Sequence, residues 1–198
     1  MARTLSPHSS APAQKVHMLR NLYFIRAVFS ILWVTAMFLV GIPTPQIGAF
    51  LLVIYPGWDA IATVIDIRAQ RDTHVQIAQY LNAVSSTLAT VALGIALNSN
   101  LSRMIIIFGI WALLAGLIQL FVGLNRRREL GGQWAMIVSG AQSGIAGVAF
   151  IIMANTPSMG LSSLAGYSAF GAFYFLVAAT RLTIHPDVPQ RSDQAADQ

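Results

Sequence analysis

Asp59 is the residue of this chain whose setting most invites chemistry. It falls inside an apolar run at about 47–66, where a carboxylate costs roughly 2.5–3.5 kcal/mol on insertion scales. At that depth it must face a bundle interior, a partner or water. Thr63 and Asp66 follow it at i+4 and i+7, on the same helix face. Arg26, about one turn inside the first apolar run, is the best candidate partner for Asp59 or Asp66. Pro56 lies about one turn before Asp59; it removes a helix hydrogen bond and frees the Leu52 carbonyl. Two roles compete. Asp59 could take up and release a proton beside a kink, as ion and substrate sites in transporters do. Alternatively, Arg26 with Asp59 or Asp66 could be an ion pair that fixes helix register. The structural role is the stronger, because a proton path through Asp59 has no evident continuation toward the other side.

Further polar residues fall in the same half of the apolar runs: Ser30, Asn82, Ser85, Ser86, Gln119, Ser139, Gln142 and Ser143. Arg26, Asp59, Thr63, Asp66, Asn82, Gln119 and Gln142 thus make a candidate intramembrane polar cluster. It could line a cavity open to one side and closed by an apolar layer on the other. The plainer explanation is hydrogen bonding between helices, worth about 0.6 kcal/mol each. No catalytic constellation stands out. The chain has no Cys, which excludes thiolate chemistry and disulfides. His8, His17, His74 and His185 fall outside the expected spans, isolated and without metal-ligand spacing. No phosphate-cradling glycine loop is present. No catalytic residue, metal or cofactor is expected.

The elements that must position these residues are membrane helices. Of 198 residues, 56% are hydrophobic and 10% charged. A soluble globule carries about 25% charged residues, so most of this chain must face something other than water. Apolar runs at about 22–41, 47–66, 78–97, 104–124, 134–154 and 160–180 each match the length a helix needs to cross hydrocarbon. Residues 1–21 read as a disordered lead and 183–198 as a disordered tail. The net charge of +5 is not a nucleic-acid footprint, because the basic residues sit at the ends of apolar runs and form no stripe. Arg3, Lys15, Arg20, Arg68, Arg71, Arg126, Arg127, Arg128, Arg181 and Arg191 fall on one side and Arg103 on the other. By the positive-inside rule both termini are cytoplasmic. The expected fold is an all-α bundle of six transmembrane helices.

Short connections at 41–46, 98–103 and 155–159 suggest three helical hairpins in a pseudo-threefold repeat of about 55 residues. Tyr55-Pro56-Gly57-Trp58 can be laid against Phe108-Gly109-Ile110-Trp111, a register that sets Asp66 on Gln119. The third copy sets Tyr167-Ser168-Ala169-Phe170-Gly171 against Trp111-Ala112-Leu113-Leu114-Ala115. Small-residue faces on the fourth run (Gly109, Ala112, Ala115, Gly116) and the fifth (Ser139, Ser143, Gly147) fit close packing within the chain, and a dimer interface less well. Trp134 and Tyr23 suit the cytoplasmic interface; Trp33, Trp58 and Trp111 lie too deep for it and suit packing.

Several of these runs carry a resemblance. Tyr55-Pro56-Gly57-Trp58-Asp59-Ala60, Trp111 to Gln119 followed by Arg126-Arg127-Arg128, Gly132 to Ser143, and Ala169 to Val177 resemble bacterial membrane proteins of the HdeD-like family. The likeness spans about 22–182. It implies an inner-membrane protein of roughly six spans, whose namesake is associated with acid resistance, and it brings no catalytic residues. The expected function is therefore a non-enzymatic inner-membrane protein supporting envelope or acid-stress physiology. The alternative is a small transporter or a proton or ion channel using Asp59 near the Pro56 kink. The bilayer is the expected partner; self-association stays open.

Overall fold

A computed structural model describes residues 10–69, 73–127 and 133–184. The expected tail beyond 184, the first nine residues, and Arg71, Arg128 and Gly131-Gly132 lie outside the described residues. Six helices make up the fold: α1 (Ser10–Ala36, extended by a π turn, Met37–Gly41), α2 (Pro45–Ala69), α3 (Thr73–Ile95), α4 (Leu101–Arg126), α5 (Trp134–Met153) and α6 (Leu161–Ile184). There is no strand among the described residues. All six helices contain stretches of 20 to 26 residues long and apolar enough to cross a membrane. Their outer surface agrees: Leu32, Leu39, Ile95, Ile145 and Ile152 are 64–81% exposed, a degree of greasiness that suits lipid rather than water. The chain is built as a multi-pass membrane protein.

α1 starts earlier than the expected lead of 1–21 allows, since it is helical from Ser10. Pro12 is tolerated in a first turn, where its missing N–H has no helix partner to lose. The early turns persist because Leu19 and Tyr23 bury themselves against Met136 of α5 and Ala178, Ala179 and Leu182 of α6. Tyr23, expected at the interface, is 4% exposed and faces inward, whereas Trp134 does lie outside, under the Arg181 guanidinium.

The six helices form a closed ring in chain order, with α6 returning to α1. Its tightest seams are not those of the expected hairpins. α2 packs most closely on α3, α4 on α5 and α6 on α1; the seams at the three short turns are looser. A short turn fixes where two helices begin, but side-chain size decides how near they run. The α4–α5 seam shows this. A Cβ added at Gly116 would stand 2.6 Å from the Gly144 nitrogen, and one at Gly147 would stand 2.5 Å from the Leu113 nitrogen. Only hydrogen fits there, so the small-residue faces do serve packing within the chain. Tight and loose seams alternate around the ring, as a threefold arrangement of two-helix units requires.

The threefold arrangement also appears in hydrogen bonds. Ser30 of α1 meets the Tyr55 hydroxyl at 3.2 Å. The Trp111 indole N–H donates to Ser86 of α3 at 2.9 Å. Ser143 of α5 meets the Tyr167 hydroxyl at 2.6 Å. Each aromatic stands 56 residues after the last. Tyr55 therefore corresponds to Trp111 and not to Phe108, a correction of the expected first-to-second register by nearly one helical turn. A shift of three residues keeps the same helix face, which is why both registers preserve the apolar pattern. The register expected between the second and third copies holds. The true equivalents Leu52, Phe108 and Leu164 are each 0% exposed and form the core nearer the turn end.

Candidate functional site

Two zones share the bundle axis. Toward the short turns, the core is filled by Leu52, Leu93, Met104, Ile105, Phe108 and Leu164. At mid-depth the aromatics interlock: Tyr55 meets Trp111 edge-on at 5.8 Å, Phe108 meets Trp111 at 5.1 Å, and Phe150 meets Tyr167 at 5.5 Å. Below this knot, toward the arginine-bearing end where α2, α4 and α6 finish, the axis becomes polar.

The polar zone begins with Asp59. Its Oδ1 accepts from Arg26 Nη1 at 2.7 Å. Its Oδ2 accepts from Asn82 Nδ2 at 2.7 Å and from Ser86 Oγ at 2.8 Å. Arg26 Nη2 also donates to Thr63 Oγ1 at 3.0 Å, as does Asn82 Nδ2 at 2.9 Å. Five of the side chains singled out from the sequence or close to them thus form one network joining α1, α2 and α3. The partner of Arg26 is Asp59, not Asp66. Because Ser86 also accepts from Trp111, the carboxylate is wired to the aromatic knot, and such chained bonds polarise one another. The ion pair is half-sheltered, with side chains 14% and 16% exposed. Above it, the stretch before Pro56 is stapled to α1: the Trp33 indole donates at 2.7 Å to the Leu51 carbonyl, beside the Leu52 carbonyl that Pro56 leaves without its usual helix donor.

Asp66 takes a different partner. Its Oδ2 accepts from Arg126 Nη2 at 3.0 Å and from Gln79 Nε2. Arg126 was expected in a loop, among the arginines that mark orientation. Its burial at 5% exposure follows from helix geometry, since it lies at i+7 from Gln119 and shares its inward face. Gln79 likewise sits one turn before Asn82 on α3. Tyr23 OH donates to Gln133 Oε1 at 3.5 Å. Sequence reasoning missed this second network, although the i, i+7 spacing of two polar residues on α4 was a signal for it.

Gln119 and Gln142 stand apart from both ion pairs. Gln119 Nε2 donates to the Met136 carbonyl at 3.2 Å. Gln142 Oε1 accepts from Tyr174 OH at 2.8 Å. Both line cavities. One, of about 60 Å³, lies under the aromatic knot and is bordered by Arg26, Asp59, Gln119, Gln142, Tyr167 and Gly171. The other, of about 80 Å³, lies nearer the arginine-bearing end, between Asp59, Asp66, Gln79, Gln119, Arg126 and Gln133. They share the walls Arg26, Asp59, Ala115, Gln119 and Phe175. The upper one has a simple origin. At the positions equivalent to Asp59, the second and third copies carry Ala115 and Gly171, and all three border it. Where the first copy places a carboxylate, the others leave space.

Residues 81–152 match the family described as a short repeat of unknown function (DUF308), the family that takes in the HdeD-like proteins. That stretch runs from α3 through the tight α4–α5 pair. It holds Asn82, Ser86, Gln119 and Gln142, but neither Arg26 nor Asp59. No curated protein and no solved structure matches the chain.

Proposed function

We propose that the chain is a non-enzymatic, HdeD-like protein of a bacterial inner membrane, with both termini cytoplasmic, that supports envelope or acid-stress physiology. In this reading the Asp59 network holds the helices in register around a dead-ended polar interior and carries no ion flux. The observation that supports it most is the bonding of Asp59. Both carboxylate oxygens already accept from Arg26, Asn82 and Ser86, and the axis beyond is filled by the aromatic knot. A carboxylate whose two oxygens already hold three donors suits a clasp better than a relay. The positive-inside asymmetry supports the orientation, and the likeness of 81–152 supports the kinship.

The second reading is a small proton or ion transporter. It draws support from Asp59 bordering both cavities close to Pro56. One experiment separates the two. Purified protein is reconstituted into liposomes with a pH gradient, as wild type and as Asp59→Asn. A clasp gives wild-type flux equal to that of protein-free vesicles, while Asp59→Asn lowers the melting temperature in detergent. Wild-type flux above the vesicle background that Asp59→Asn abolishes overturns the clasp in favour of the transporter.

A further inference from the structure

The seam between α5 and α6 is fastened at two points. The Tyr167 hydroxyl meets Ser143 at 2.6 Å, and the Tyr174 hydroxyl donates to Gln142 Oε1 at 2.8 Å. The two tyrosines stand seven residues apart on one face of α6, roughly 10 Å along the helix. Between them lie Phe170 and Gly171. Gly171 does not serve close packing as Gly116 and Gly147 do. Among the described residues, a Cβ there would meet nothing nearer than the Tyr55 hydroxyl, at 3.7 Å. The space it leaves belongs to the cavity of about 60 Å³ under the aromatic knot.

Phe170 and Tyr174 are walls of that cavity and also of a shallow groove of about 360 Å³ on the outer face of α6, completed by Ala169 and Phe173. The same two side chains thus border the polar interior on one side and the bilayer on the other. Phe170 is 57% exposed, and an exposed side chain changes rotamer within nanoseconds. The barrier between cavity and lipid is therefore a pair of rings, set at one of the looser seams of the ring of helices.

The walls set the chemistry of an occupant. The groove is apolar and faces lipid, so it suits a hydrocarbon chain. The cavity behind is bordered by the hydroxyls of Ser30, Tyr55, Ser143 and Tyr167, groups that both donate and accept. Its charges, Arg26 and Asp59, are already paired, so an ionised head would lose its hydration and meet no free counter-charge. The space holds on the order of four waters, too little for a phosphate-bearing lipid headgroup. We propose that the α5–α6 seam is a side entrance from the bilayer, and that the cavity binds the hydroxyl head of a neutral, single-chain long-chain alcohol whose chain lies against Phe170 and Phe173. The entrance is lateral and leaves the axis as closed as before, so the site does not depend on whether Asp59 is a clasp or a relay.

The test uses the full chain in lipid nanodiscs and the fluorescence of Trp58 and Trp111, which border the cavity. Bromine quenches an indole at close range, so the probes are 2-bromododecan-1-ol, 2-bromododecane and 2-bromododecyl sulfate. The alcohol is expected to quench saturably, and unlabelled dodecanol to reverse it. The bromoalkane lacks the hydroxyl and the sulfate is charged; both are expected to bind at least tenfold more weakly, the equivalent of about 1.4 kcal/mol. Gly171→Leu fills the cavity and should abolish the saturable phase without lowering the melting temperature, whereas Gly171→Ala should keep it. Quenching by the alcohol that only tracks its amount in the bilayer overturns the proposal. Saturable quenching of equal strength by the bromoalkane, or by the alcohol in a folded Gly171→Leu, also overturns it. The wild-type probe series decides the matter even if a variant fails to fold.

Discussion

The two ends of the bundle are held by different physics. At the turn end, Leu52, Leu93, Phe108 and Leu164 fill the axis with no exposure at all, and cohesion there is dispersion between closely fitted apolar groups. At the arginine-bearing end, Arg26–Asp59 and Arg126–Asp66 cross the interior beside two cavities. Packing tolerates no gap, whereas a charge pair can border one, because its strength is set by its partner and not by filled volume. The contrast explains why these two cavities lie beside the ion pairs and not within the apolar core.

Single and double substitutions sharpen that contrast. The largest effect is expected from Asp59→Leu, which strands the Arg26 guanidinium and should cost roughly 3–5 kcal/mol. Adding Arg26→Leu should restore most of the loss, and detergent thermal denaturation of the four-member cycle reads the coupling. If the double variant is no better than Asp59→Leu, the lower half is held by packing after all. In the upper half, Leu164→Ala should cost about 3 kcal/mol through the void it leaves, with no rescue from truncating its equivalent Phe108 as well. A smaller effect is expected at the boundary. Ser143→Ala loses bonds to Tyr167 and to the Ala112 carbonyl, at about 0.6 kcal/mol each, so the melting temperature should fall only slightly. A large fall would mean that the three serine–aromatic pairs, and not the apolar core, organise the knot.

Much of this was legible from residue types alone. Six spans follow from the lengths of the apolar runs, since few charges leave lipid as the only solvent. Depth points Arg26 to the acids of α2 but does not choose between Asp59 and Asp66, which only the packed bundle decides; the close α4–α5 approach follows from its glycines. The misreadings share one cause, that helix faces repeat. Shifting a helix by three residues presents almost the same face, so Phe108 passed for the equivalent of Tyr55. Arg126, at the end of a span, resembles any arginine that marks a membrane boundary; only its i+7 relation to Gln119 sets it inside. Gln79 and Gln133 were invisible for a different reason: a glutamine near a helix end is ordinarily solvated, and burial there depends on neighbours from distant parts of the chain.

The return of α6 to α1 has a consequence for how the protein is made. Synthesis delivers α6 after the other five helices, so the helix that Leu19 and Tyr23 of α1 need arrives only when α1 to α5 are already made. Arg26 finds Asp59 as soon as α2 is inserted, and that early bond keeps the first two spans together in lipid while the rest of the ring is still being translated.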